Sequence, residues 1–155
     1  MANLYRTFIP GVEVVWRWEP YFTPDEFRCQ GTGDLLVCPR FMDRLVRVRI
    51  KAGFAFPVNS GYRAPTHNQQ VSSTGLTGPH TGGKLPPDID PATIERGAVD
   101  IGVLGGKALA LIGLASEEGF SGIGVKQKGP HSGRFIHLDN LPDAPGQPRP
   151  WVWSY

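Results

Sequence analysis

Arg134-Phe135-Ile136-His137-Leu138-Asp139, together with Ala98-Val99-Asp100-Ile101-Gly102-Val103 upstream, decides the fold of this chain. Both stretches alternate as strands do, because successive side chains of an extended chain point to opposite faces. In the later stretch Phe135, His137 and Asp139 share one face, and Arg134, Ile136 and Leu138 take the other. Gly122 to Lys126 reads as a further strand, joined to it by a turn at Gly129-Pro130. Phe56 to Ser60 reads as a short strand leading into Gly61-Tyr62-Arg63.

Helical stretches lie between them. Pro39 opens one that runs to about Ala52, with Phe41, Met42, Leu45, Val46 and Val48 as its apolar side and Gly53 at its end. Lys107 to Glu118, closed by Gly119, is another, and Pro65 starts a short polar helix to about Val71. Thr23-Pro24-Asp25-Glu26 carries the residues of a capping box with proline in the first turn, and the helix it starts takes Phe27 inward. Residues 1–20 are expected to form an extended arm, and Pro150 to Tyr155 an aromatic tail. The 20 glycines and 15 prolines among 155 residues limit regular structure, and 30–38 and 72–97 read as loops. The expectation is a single α+β domain over residues 1–155, loop-rich, with a short, mostly antiparallel sheet and helices packed on it. That length buries a core without staples.

Composition excludes several functions. The net charge is only +2, and Arg40, Arg44, Arg47, Arg49 and Lys51 spread around a helix instead of forming one basic stripe, which argues against a nucleic-acid binder. No run approaches 18 apolar residues, so no membrane span is expected. MANLYRTFIPGVEVVW lacks the basic start, apolar run and cleavage site of a secretion signal, which predicts a product made in the cytoplasm. Cys29 and Cys38 are open to three readings: free thiols, a disulfide, or metal ligation.

Four histidines are present, and two are informative. His137 and Asp139 side by side on one strand face make either a buried hydrogen-bonded pair or part of a metal site. Asp100 lies mid-strand between apolar neighbours, where a carboxylate is costly unless a cation or several donors compensate it. His80 sits in a glycine-rich loop ahead of that strand. One zinc ion is the simplest compensation: two neutral imidazoles and one carboxylate leave a fourth tetrahedral position for water.

Ser60-Gly61-Tyr62-Arg63, Asn68, His80-Thr81-Gly82-Gly83, Gly97-Ala98-Val99-Asp100-Ile101 and Phe135-Ile136-His137-Leu138-Asp139 occur in a familiar order. The chain resembles the zinc D-alanyl-D-alanine carboxypeptidase family, which includes phage L-alanyl-D-glutamate endolysins, and more distantly the hedgehog signalling domain. The likeness spans roughly Phe22 to Trp153. It implies a zinc peptidase with His80, Asp100 and His137 as metal ligands, and Arg63 on a substrate carboxylate or polarised carbonyl, with a structural salt bridge as the alternative for Arg63. Tyr62 is a second substrate-binding candidate, although packing suits it better. The implied substrate is a peptidoglycan stem peptide, with no nucleic acid or membrane partner, a monomeric chain, and action on the wall after release or as part of a virion.

The chain departs from that family in two places. The family separates its His and Asp ligands by seven positions, whereas here the separation is twenty. About thirteen residues, Lys84 to Arg96, are therefore inserted: a lid or specificity element, a surface loop, or a second cation site on Asp88, Asp90 and Glu95. Several branches also place an acid three residues before the last ligand, where this chain has Arg134. Asp139 is then the first candidate for the general base and His131 the second, with orientation of a ligand as the alternative role for Asp139. Trp151 and Trp153 share a strand face, more suited to covering the core than to walling a cleft.

Overall fold

In the computed structural model, which describes residues 3–155, the loosely alternating start is not one extended arm. It folds into a hairpin, β1 (Leu4–Arg6) antiparallel to β2 (Glu13–Val15). Residues 1–2 of the expected arm lie outside the described residues. The Trp16 indole behind the hairpin donates to the Phe22 carbonyl at 2.9 Å, and the Trp18 indole to Asp43 at 2.8 Å, so both rings are buried with their polar atoms satisfied. The Thr23 turn is a single 3₁₀ turn, Pro24–Phe27, in which the Glu26 carboxylate accepts from the Thr23 N–H. Phe27 is buried as expected.

Helix α1 (Pro39–Ala52) buries Phe41, Met42, Leu45 and Val48 at helical spacing. Then follow β3 (Val58–Ser60), α2 (Pro65–Val71), β4 (Ala98–Ile101), α3 (Gly105–Glu118), β5 (Gly122–Lys126), β6 (Phe135–Asp139) and β7 (Trp151–Ser154). The strands from β3 onward form one sheet in the order β3-β4-β6-β5-β7, antiparallel except for β5 with β7. The aromatic tail is thus an edge strand of the sheet. This is the α+β architecture that the alternating stretches imply. Among the described residues no helix is long and apolar enough to cross a membrane.

Alternation divides the central strands into two faces. Val99, Ile101, Ile136 and Leu138 have no exposed surface and join the core with Leu45 and Val48 of α1 and Leu111 and Ala115 of α3. Each such side chain contributes roughly 1.5–3 kcal/mol by leaving water. The opposite face carries Asp100, His137 and Asp139, also buried. In the register of β4 and β6, Asp100 lies directly opposite His137, and Ala98 opposite Asp139. Cross-strand neighbours are about 5 Å apart at Cβ, so strand pairing alone brings two of the three candidate ligands together.

Candidate metal centre

His80 comes to this face from a different part of the chain. It lies in a one-turn 3₁₀ segment, Pro79–Thr81, closed by the Thr81 hydroxyl on the Gly78 carbonyl at 2.7 Å. The Arg63 N–H donates to the His80 carbonyl at 2.9 Å and ties this turn to the one after β3. The ring atoms of His80 and His137 and a carboxylate oxygen of Asp100 lie within 4.8 Å of one another, all on buried residues, and form a group that could hold a metal ion.

Hydrogen bonds fix how the two rings present themselves. His80 Nδ1 is 2.7 Å from the Gly61 carbonyl, which only accepts, so Nδ1 carries a hydrogen and Nε2 is the nitrogen left facing Asp100 Oδ1, 3.2 Å away. His137 Nε2 is 2.8 Å from Asp139 Oδ2, so Nε2 donates and Nδ1 faces Asp100 Oδ1 at 2.9 Å. Two ligand bonds of about 2.0–2.1 Å at a tetrahedral angle set their donor atoms about 3.3 Å apart. Both separations from Asp100 are close to that value, and both rings offer the nitrogen that a cation needs. The donor set of two imidazoles and a carboxylate therefore fits a divalent ion.

Asp139 has no exposed surface and both its oxygens are engaged. Arg149 donates to Oδ1 from Nε and to Oδ2 from Nη2, each at 2.8 Å, and the Leu141 N–H adds a bond to Oδ1 at 3.3 Å. Burial raises the Asp139 carboxyl, but the hydrogen bonds from His137 and Arg149 outweigh it and hold it at about 2. Asp100 is also pushed up by burial and held far below the ordinary carboxylate range by the two histidines. Burial lowers His137, yet the carboxylates on its two nitrogens push it to about 9. A divalent cation must displace that proton to bind.

Two glycines of β5 make room for this arrangement. A Cβ at Gly122 would come within 2.5 Å of both Asp139 carboxylate oxygens, and one at Gly124 within 2.7 Å of the Trp153 indole. Gly124 pairs with His137 and Gly122 with Asp139 across the sheet. Trp153 lies over this gap, its ring centroid 5.0 Å from that of His137. The glycines at 122 and 124 and the arginine at 149 are the site residues that sequence reasoning missed. Two glycines on one face of a short strand were the available signal.

The centre opens into a cleft of about 660 Å³. Arg63 lines it, its Nε donating to Ser60 at 3.1 Å, its Nη1 to Asn68 at 3.2 Å, and its Nη2 3.7 Å from Asp100 Oδ2, the salt bridge given above as its alternative role. Trp151, Trp153 and Tyr155 wall the cleft, contrary to the expectation that the tryptophans cover the core.

Other expectations are corrected. Tyr62 is 8% exposed, packs edge-on against Phe8 and does not line the cleft, so it is no substrate contact. Asp139 lies behind His137 with its oxygens saturated, which suits orientation of a ligand and not the general base. His131 sits exposed in the turn before β6 and does not line the cleft either. From the insert only Lys84 reaches the cleft. Its exposed middle, residues 87–93, is no lid over it, and its end is anchored elsewhere: Glu95 accepts from Arg44 Nε at 2.7 Å and from Asn140 at 2.7 Å. Asp90 caps its own turn through the Ala92 N–H, so Asp88, Asp90 and Glu95 do not converge on a second cation. Cys29 and Cys38 are both free thiols.

Set against protein families, curated proteins and solved structures, the chain matches none.

Proposed function

We propose that this protein is a zinc-dependent peptidase acting on peptidoglycan stem peptides, as a phage or prophage endolysin or a virion-associated wall peptidase. The observation that carries the reading is the convergence of His80 Nε2, His137 Nδ1 and Asp100 Oδ1 at the head of an open cleft, each ring fixed by a hydrogen bond from its other nitrogen. The order of sequence words shared with the zinc D-alanyl-D-alanine carboxypeptidase family supports it. A zinc ion held there supplies Lewis acidity and a bound water that ionises near neutrality.

The chain's own residues do the rest. The Gly61 carbonyl and Asp139 orient the two imidazoles, and Arg149 fixes Asp139 in turn. Arg63, tethered by Ser60 and Asn68, presents its remaining donors to a carbonyl or carboxylate in the cleft. Trp153 shields the inner side of His137. Among the described residues Asp100 is the one acidic side chain lining the cleft, its Oδ2 turned toward Arg63 Nη2 at 3.7 Å.

Incubating zinc-loaded protein with peptidoglycan is expected to release free amino groups, with a chelator stopping the release and zinc restoring it. Intact sacculi and stem peptides after long incubation would contradict the reading. A second reading has its own observation: among the described residues no acidic side chain other than Asp100 lines the cleft, and Arg134 stands where several branches of the resembled family carry an acid. It is a metal-bearing binding or structural module of a phage particle that does not hydrolyse. His137→Ala separates the two, abolishing turnover in an enzyme and lowering only metal content and stability in a binder.

A further inference from the structure

Lys84, the first residue of the insert, stands on the rim of the cleft with its backbone held twice by one side chain. Its N–H donates to Gln147 Oε1 at 2.7 Å, and its carbonyl accepts from Gln147 Nε2 at 3.0 Å. Gln147 is itself 5% exposed and also donates to the Pro142 carbonyl at 2.8 Å. The lysine side chain crosses Gly146, where a Cβ would sit 2.7 Å from the ammonium. Among the described residues that ammonium makes no ion pair, whereas the other cations of the cleft, Arg63 and Arg149, each face a carboxylate. A buried amide clamp on the backbone and a glycine saddle thus hold exposed Lys84, with its unpaired positive charge, at the rim of a cleft whose lining among the described residues holds a single acid, Asp100.

A charge so positioned is suited to an incoming anion. Lysine is a compact point charge that accepts a carboxylate from many directions, unlike the planar fork of arginine. We infer that Lys84 is a specificity-determining residue which receives a free carboxylate of the substrate, so that the cleft selects acidic peptides over their amidated counterparts. The inference deepens the peptidase reading and rests on it. Arg63 serves the reacting carbonyl or its neighbour, and Lys84 supplies a second, separate contact from the insert side of the cleft. The attraction also steers encounter and weakens with salt.

The test uses stem-type peptides in pairs that differ only in a carboxylate or carboxamide at one position, with wild-type, Lys84→Ala and Lys84→Arg proteins. In wild type the acidic member of at least one pair is favoured in kcat/KM. Lys84→Ala is expected to reduce that acid-to-amide ratio about tenfold, mainly through KM, as loss of one charge-assisted contact implies. Lys84→Arg restores most of it. A ratio unchanged in Lys84→Ala for every pair overturns the inference. Binding followed by the fluorescence of Trp151 and Trp153 gives the same comparison without turnover. If no peptide is hydrolysed but the acidic preference in Kd depends on Lys84, the peptidase reading fails and the carboxylate contact stands. If peptides are hydrolysed without any such dependence, the contact fails and the peptidase reading stands.

Discussion

The two faces of β4 and β6 are built from alternate residues of the same strands, yet they are held by different physics. On the helix side Val99, Ile101, Ile136 and Leu138 are stabilised by burial, which is non-directional and tolerates rearrangement. On the cleft side Asp100, His137 and Asp139 are as deeply buried, but each depends on named partners at 2.8–3.2 Å. A buried polar network is stable only while every member is satisfied. The helix side therefore carries stability, and the cleft side carries a group that could hold a metal ion, together with a dependence on completeness.

Neighbouring substitutions of opposite facing give the largest expected contrast. His137→Ala removes a ligand and is expected to abolish stoichiometric zinc binding, read by metal analysis after gel filtration. Leu138→Ala, one residue on and facing the core, is expected to cost about 2–5 kcal/mol in denaturant unfolding while zinc still binds one to one. Equal loss of zinc in both variants would erase the distinction between the faces.

Next comes Arg149→Met. It leaves Asp139 buried without its bidentate partner, so the carboxylate that orients His137 is no longer fixed. Zinc affinity is expected to fall about 10–100-fold, measured by competition with a chromogenic chelator. An unchanged affinity would reduce Arg149 to a fold residue.

A pH series sharpens the same contrast. His137, raised to about 9 in the folded chain from its ordinary 6.5, holds a proton that the unfolded chain has already released between those values. Metal-free stability from this group is thus complete below about pH 6.5 and lost as pH rises through about 9. Asp139, held at about 2 against an ordinary 3.8, contributes stability above the latter value that is lost as pH falls through the former. Zinc replaces the His137 proton, so the alkaline loss of melting temperature is expected in metal-free protein and not in zinc-loaded protein. Parallel melting curves in both forms from pH 6.5 to 9 would refute the proton–metal exchange.

The smallest effect is expected at Glu95, where the insert meets α1. Glu95→Ala breaks a partly buried ion pair with Arg44 and should lower stability by about 1 kcal/mol without altering zinc affinity.

Much of this arrangement is legible in the sequence, for identifiable reasons. Period-two alternation reveals β4 and β6 and the shared face of His137 and Asp139, because side-chain direction in a strand follows from backbone geometry. Proline opens α1 and α2, and glycine closes α1 and α3. What the sequence does not reveal depends on register and on distant pairing. Nothing local says that Arg149, ten residues after Asp139, folds back onto it, or that Trp151 and Trp153 join β5 in parallel and turn toward the cleft. Asp139 looked available as a base because a strand face does not say what lies behind it. Tyr62, a candidate substrate contact better suited to packing, has its ring turned into the core.

The most direct test is the zinc-edge X-ray absorption spectrum of the metal-loaded protein. The expected spectrum shows one zinc per chain with two imidazole nitrogens and oxygen ligands at about 2.0–2.2 Å, and the imidazole scattering is lost in His137→Ala. A chain that takes up no zinc, or a sulfur shell at about 2.3 Å from Cys29 or Cys38, would contradict a centre built on His80, Asp100 and His137.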